Sequence, residues 1–289
     1  MTQIFRGSET AGFLTQSLRQ QCAQLRERGC LPRLAILRVG AREDDLAYER
    51  GAVKRCQAVG VDVRRISLPE QTTQDTLLHE LQALNNDSSV HGILLFRPLP
   101  KHLDDRTIRQ AILPEKDMDG ITDGSMAAVY AGMDNGYPPC TAAACVELLK
   151  YYKIPISGKH VVVIGRSLVI GKPVSLLLLA ENATVTICHS RSEDLPAICR
   201  GADILVVAAG KAGLIGAEHV HSEQVVLDVG IHVTPEGTLC GDVRFEEVNG
   251  RVKSITPVPG GVGAVTSTIL AGHVISAARR KLPAAAALG

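Results

Sequence analysis

The 289-residue chain has no Trp and only 4 Phe and 5 Tyr. So few rings leave little from which to build a base-stacking platform for single-stranded nucleic acid. Concentrated positive charge is missing too: 31 Lys and Arg stand against 30 Asp and Glu, with no long basic run. Non-specific nucleic-acid binding depends on such a surface and is not expected. The strongly apolar runs, such as VSLLLLA at 174–180, are far too short to span a bilayer, so no membrane partner is expected. The opening MTQIFRGSETAGFL lacks the apolar core and cleavage site of a signal peptide. The 8 Cys, scattered from Cys22 to Cys240, form no CxxC pair, which argues against a zinc knuckle or redox motif; no metal is expected. These absences point to a cytoplasmic protein with reduced cysteines.

What is present is a core-rich chain, 45% hydrophobic and 21% charged, long enough for one large or two medium domains. Apolar runs LAILRVG at 34–40, GVDVRRISL at 60–68 and HGILLFRPLP at 91–100 alternate with helical patterns near 9–28, 47–59 and 73–86. This is the rhythm of βαβ units with a parallel sheet, an α/β fold. The turn-rich GMDNGYPPCT at 132–141 reads as a hinge. After a helix near 141–152 the rhythm restarts with HVVVIG, ATVTICH, ADILVVAAG and VVLDVG at 160–165, 183–189, 202–210 and 225–230. Their near-continuous Val, Ile and Leu suit strands buried on both faces. A final helix is expected near 267–281, followed by a frayed PAAAALG tail.

HVVVIGRSLVIGKPVSLLLLA reads as a strand, a glycine-bearing loop and a helix, with Gly165 closing the strand and Gly171 opening the helix. A helix N-terminus at such a loop offers unpaired N–H groups to a phosphate. An NAD site would carry Asp or Glu at the end of the next strand to hold the ribose hydroxyl. Here that end reads CHSRSEDL, placing Ser190 and Arg191 there and no acid before Glu193. A hydroxyl beside a guanidinium suits a 2′-phosphate, so NADP is expected, with Arg166 in the loop a second positive candidate.

GILLFRPLP, PEKDMDG, PPCT, VVVIGRSLVIGKPV, TVTICHS, LDVGI, GDV and TPVPGGVG occur in the order found in methylenetetrahydrofolate dehydrogenase/cyclohydrolases. The resemblance covers essentially the whole chain. It implies two α/β domains around a cleft: a folate-binding catalytic domain at 1–139, on which a C-terminal helix at 267–289 packs back, and a Rossmann-type NADP domain at 140–266. It implies a tetrahydrofolate substrate, a homodimer, and oxidation of the 5,10-methylene form to 5,10-methenyl. Most members then hydrolyse the product to 10-formyltetrahydrofolate. By the same resemblance Tyr48 lies against the folate, Asp119 hydrogen-bonds the pterin, and Pro259, Gly260 and Gly261 line the folate side. Gly165, Arg166 and Ser167 form the phosphate loop, Ser190 contacts the 2′-phosphate, and Ile231 lies on the nicotinamide side.

The departures from the family pattern cluster. It places Ser three before the tyrosine and Lys four after it, where this chain has Asp45 and Ala52. Its QLPLP becomes FRPLP, putting Phe96 where a glutamine accompanies the lysine. Lys54 points to another side of the helix, and Arg55 cannot shed its proton to act as a base. Asp45 could reach the face, but an acid there also suits a helix start. Pro-to-Ala changes at Ala142 and Ala264 remove no chemistry. Hydride transfer needs positioning, whereas hydrolysis needs a tuned acid or base. The expected function is therefore an NADP-dependent dehydrogenase with weak or absent cyclohydrolase. The alternatives are a bifunctional enzyme and a non-catalytic folate- or nucleotide-binding relative.

Overall fold

The computed structural model describes residues 1–282; the PAAAALG tail lies outside them. The chain divides into two compact units. One comprises Phe13–Cys140 together with the chain from Ser267; the other comprises Met1–Gly12 and Thr141–Thr266. The first twelve residues thus depart from the boundary expected at 1–139. The reason is strand β1 (Gln3–Ile4), which pairs in parallel with a strand some 250 positions on, Gln3 facing Ser254. Helix α1 (Gly7–Glu27) then carries the chain into the other unit.

In the Phe13–Cys140 unit, β2 (Arg33–Val39), α2 (Glu43–Val59), β3 (Asp62–Leu68), α3 (Gln74–Asn86) and β4 (Gly92–Leu95) form two consecutive βαβ crossovers. The three strands pair in parallel in the order β3-β2-β4. Thr73 caps α3 by accepting from the Thr76 N–H, and Leu77, Leu81 and Leu84 turn inward against Ala35, Leu37, Ile93 and Leu95. The anticipated strand at 91–100 stops at Leu95, because Pro98 and Pro100 cannot donate to a ladder. Two helices, α4 (Asp105–Gln110) and α5 (Asp123–Ala131), stand where none was anticipated. The turn-rich stretch forms a loop that ends where α6 (Cys140–Tyr151) begins.

The other unit holds β5 (His160–Ile164), α7 (Gly171–Ala180), β6 (Thr184–Cys188), α8 (Leu195–Arg200), β7 (Ile204–Val207) and β8 (Val225–Asp228). A hairpin of β9 (His232–Val233) and β10 (Leu239–Cys240), helix α9 (Phe245–Val248) and β11 (Ser254–Ile255) follow, and α10 (Thr266–Lys281) ends the described chain. Six parallel strands run in the order β1-β11-β8-β7-β5-β6, a Rossmann-type sheet. Strands β7 and β8 are buried at every position, which is why their sequences, Asp228 aside, read as apolar runs. The strand order reverses between β5 and β7, and in such sheets ligands bind outside the carboxyl ends at that reversal. Among the described residues no helix is long and apolar enough to cross a membrane.

Candidate functional site

Helix α2 follows the carboxyl end of β2. Glu43, Asp44 and Asp45 crowd its first turn, where acids favour the helix dipole, so the helix starts earlier than its apolar pattern suggests. Gly60 ends it in the left-handed conformation at φ 94°. The buried face carries Asp45, Glu49, Ala52, Cys56 and Val59. Buried carboxylates need partners, and both have them. Asp45 receives Arg42 Nε at 2.9 Å and Nη2 at 2.7 Å, while Glu49 receives Arg38 Nε at 3.1 Å. Arg55 donates to Thr15 Oγ1 at 3.0 Å. Asp45, the group that could have stood in for a lysine beside Tyr48, is thus held by Arg42.

Tyr48 keeps 38% of its surface exposed and meets Phe96 edge-on, with ring centroids 5.6 Å apart. Phe96 directly follows β4 and extends its ladder, its N–H donating to Leu37 O at 2.9 Å. Ala52, one turn beyond Tyr48, is fully buried. Desolvation around the Tyr48 hydroxyl, reinforced by Asp119, Cys140 and Cys56, pushes the phenol well above its ordinary range. Burial pushes the Cys56 thiol up to about 12 and the Cys140 thiol well above normal. These three groups all hold their protons at neutral pH.

Asp119 sits in a loop that is pinned on both sides. Lys116 Nζ donates to the carbonyls of Leu84, Asn85 and Asp87 at 2.7–2.8 Å, and the Asp117 carboxylate accepts the N–H groups of Ile121 and Thr122. Gly120 has φ +64°, and a Cβ there would lie 2.5 Å from the Tyr137 carbonyl oxygen, so no other residue fits. The Asp119 carboxylate accepts the Cys140 N–H at 3.3 Å. Desolvation raises its pKa to about 6 against that hydrogen bond, with the Asp117 charge adding to the rise. The structure therefore brings Tyr48, Phe96 and Asp119 into one neighbourhood and adds Cys56, Cys140 and His273. PPCT flagged Cys140 without a role, and no local pattern pointed to Cys56 or His273.

The other expected residues lie in the Rossmann-type unit. Gly165 follows β5 at φ +120°, and a Cβ on it would collide with the Ala208 carbonyl across the strand-order reversal. A Cβ on Gly171 would in turn collide with the Gly165 carbonyl. Two bare backbones thus let the loop fold back tightly, with Ser167 Oγ accepting the Ile170 N–H at 3.1 Å. Arg166 and Ser167 are left exposed at the loop and Ser190 and Arg191 at the end of β6, next to it through the Gly165 N–H to Cys188 O bond at 2.9 Å. The donor set at this end is cationic and hydroxylic, and fits a phosphorylated ribose. Ile231, Pro259, Gly260 and Gly261 line one cavity of about 250 Å³ with Asp228.

Two buried acids brace this unit, Asp228 on the cavity wall and Asp242 after it in sequence. Asp228 accepts the N–H groups of Gly230, Asp242 and Val243, and burial still pushes it up to about 6. Asp242 accepts the N–H groups of Ala209, Gly210 and Lys211 and the His232 ring nitrogen. Among the described residues no group of three or more His, Cys, Asp or Glu is arranged to hold a metal.

The family described as tetrahydrofolate dehydrogenase/cyclohydrolase, catalytic domain, matches residues 5–119, and its NAD(P)-binding domain matches residues 139–282. The chain belongs to this family. Its matched NAD(P)-binding segment includes α10, most of which clusters with the Phe13–Cys140 unit in space. A protein named bifunctional protein FolD from Alkaliphilus oremlandii is 48% identical over 279 residues, 96% of this chain and 98% of its own length. The solved structure of the bifunctional FolD methylenetetrahydrofolate dehydrogenase/cyclohydrolase from Campylobacter jejuni superimposes with a TM-score of 0.94 at 35% identity, covering 98% of this chain and all of that one. The Trypanosoma brucei enzyme, solved with NADP cofactor and an inhibitor, gives 0.90 at 35% identity over 98% of this chain and 99% of its own.

Proposed function

We propose that the protein oxidises 5,10-methylenetetrahydrofolate to the 5,10-methenyl form with NADP, and hydrolyses that product weakly or not at all. The dehydrogenase follows from family membership. The restriction on hydrolysis rests on one observation: among the described residues on the buried face of α2 around Tyr48 no unpaired acid or base remains to activate water, and Asp119 is committed in this reading to the pterin. Ala52 and Phe96 stand where the family resemblance places a lysine and a glutamine. Asp45 and Glu49 are held by arginines, and Tyr48, Cys56 and Cys140 keep their protons. General acid–base help typically contributes ~10²–10⁴-fold, and its loss would leave hydrolysis near the background rate.

Hydride transfer asks for less: the methylene carbon must be held, and its hydride needs an acceptor, which NADP supplies when bound. In this reading the Phe13–Cys140 unit with its C-terminal helix takes the folate, Tyr48 lying against it and the Asp119 carboxylate accepting pterin N–H groups. The other unit takes NADP. Gly165, Arg166 and Ser167 with the start of α7 face the diphosphate, Ser190 and Arg191 hold the 2′-phosphate, and Ile231 lies on the nicotinamide side. Pro259, Gly260 and Gly261, which line one cavity with Ile231, are assigned to the folate by the family resemblance alone. The protein works as a cytoplasmic homodimer, as the family resemblance implies, which sedimentation of the purified protein would check.

The test is NADPH formation by purified protein supplied with methylenetetrahydrofolate and NADP, against the same mixture with NAD. Faster turnover with NADP supports the reading, and no reduction of either cofactor overturns it. A bifunctional enzyme is the reading favoured by the names of its relatives. It would need a base other than Asp45, whose carboxylate is already paired with Arg42.

A further inference from the structure

We propose that His273, on the C-terminal helix α10, is a positioning residue for folate turnover: it fixes the Asp119 carboxylate by holding the Met118 carbonyl. This rests on the functional reading above. His273 Nδ1 lies 2.9 Å from Met118 O. A carbonyl oxygen only accepts, so Nδ1 carries the proton and donates. Desolvation pushes the imidazole down to about 4, so the ring is neutral and its tautomer is set by this bond.

The Met118–Asp119 segment is gripped from three elements. The Met118 N–H donates to Ile93 O of β4 at 3.3 Å, and the Met118 side chain fills the space above Gly92, where a Cβ would collide with it. The Met118 carbonyl receives His273 from α10 and the Cys140 thiol, at 3.3 Å, from the start of α6. The backbone N–H of the same Cys140 donates to the Asp119 carboxylate. One carbonyl and the next residue's carboxylate therefore share a clamp, and His273 supplies its shortest bond. The imidazole is itself seated against the Tyr137 ring, 4.9 Å between centroids, over which Arg280 places its guanidinium at 4.8 Å.

A histidine filling space and a histidine orienting Asp119 respond differently to a crossed pair of substitutions. His273→Leu keeps apolar volume and removes the donor. His273→Asn removes the ring and returns an amide N–H to roughly the Nδ1 position. Both are made in the full-length protein and compared with the unmodified one for kcat, KM for each substrate, and Tm. Orientation predicts that His273→Leu loses ~10-fold or more in kcat/KM for methylenetetrahydrofolate, since small misplacements near the chemistry are costly. The KM for NADP should stay unchanged, and His273→Asn should retain most of the activity whatever its Tm. If His273→Leu matches or exceeds His273→Asn in kcat/KM, the role is packing and the inference is overturned. Absence of NADP reduction by the unmodified protein would instead overturn the functional reading, and the inference with it.

Discussion

Asp119 and Asp242 are enclosed acids, one in each unit, and they spend their lone pairs differently. Asp242, with no exposed surface, accepts three consecutive backbone N–H groups and the His232 ring nitrogen. Asp119 is half-buried and accepts the Cys140 N–H. A carboxylate saturated by its own chain is scaffold, because every acceptor site is already used. One left with unspent acceptors beside a tyrosine is a place for a ligand. The same contrast runs along α2, where Asp45 and Glu49 are tied to arginines while Tyr48 faces outward. Counting acids would suggest a carboxylate-rich site. Following their hydrogen bonds leaves Asp119.

The largest expected effect breaks that contrast from the folate side. Asp119→Ala should lower methylenetetrahydrofolate turnover on the order of 10²-fold or more, with NADP affinity by calorimetry unchanged, since the two belong to different units. Loss of NADP binding would show the assignment of units to be wrong. The carboxyl titrates near 6, and below that pH it carries a proton and accepts poorly. Unmodified protein should therefore lose kcat/KM for the folate as pH falls through about 6, and Asp119→Asn should flatten that limb.

Asp242→Ala should do the converse. It leaves buried N–H groups without an acceptor and should lower unfolding free energy by about 3 kcal/mol or more in denaturant titration, a cost Asp119→Ala should not approach. Equal stability losses in the two variants would erase the distinction between scaffold and site. Next comes restoration. The double change Ala52→Lys with Phe96→Gln should raise methenyltetrahydrofolate hydrolysis by ~10²-fold, more than the product of the single changes. A lone lysine at the fully buried position 52 has no polar neighbour there. Smallest is Arg191→Ala, expected to raise the KM for NADP about tenfold and that for NAD little, the worth of one charged hydrogen bond to a phosphate. Equal effects on both cofactors would remove the 2′-phosphate role.

The parts of this fold that the sequence displayed were those whose surroundings are uniform. β7 and β8 lie inside a parallel sheet, so every side chain but Asp228 is apolar and the strands announce themselves. β1 and β11 are two residues each and owe their existence to partners far along the chain, which no local pattern encodes. α4, at six residues, is too short for a helical period to show. FRPLP looked like strand because its neighbours are, and its prolines decided otherwise. Tyr48, Asp119 and the glycine-bearing loop after β5 sit in recognisable motifs. His273 does not, because it reaches Met118 from 155 positions away and only packing of α10 brings them together.

The central claim is that this site keeps hydride transfer and lacks a group to activate water. It is tested most directly by assaying both reactions on one preparation of unmodified protein: NADP reduction with methylenetetrahydrofolate, and decay of methenyltetrahydrofolate absorbance without cofactor. The account predicts robust NADPH formation beside decay close to the buffer rate. Rapid, enzyme-proportional decay of the methenyl compound would contradict it and point to Asp119, or to a carboxylate released from its arginine, as the base.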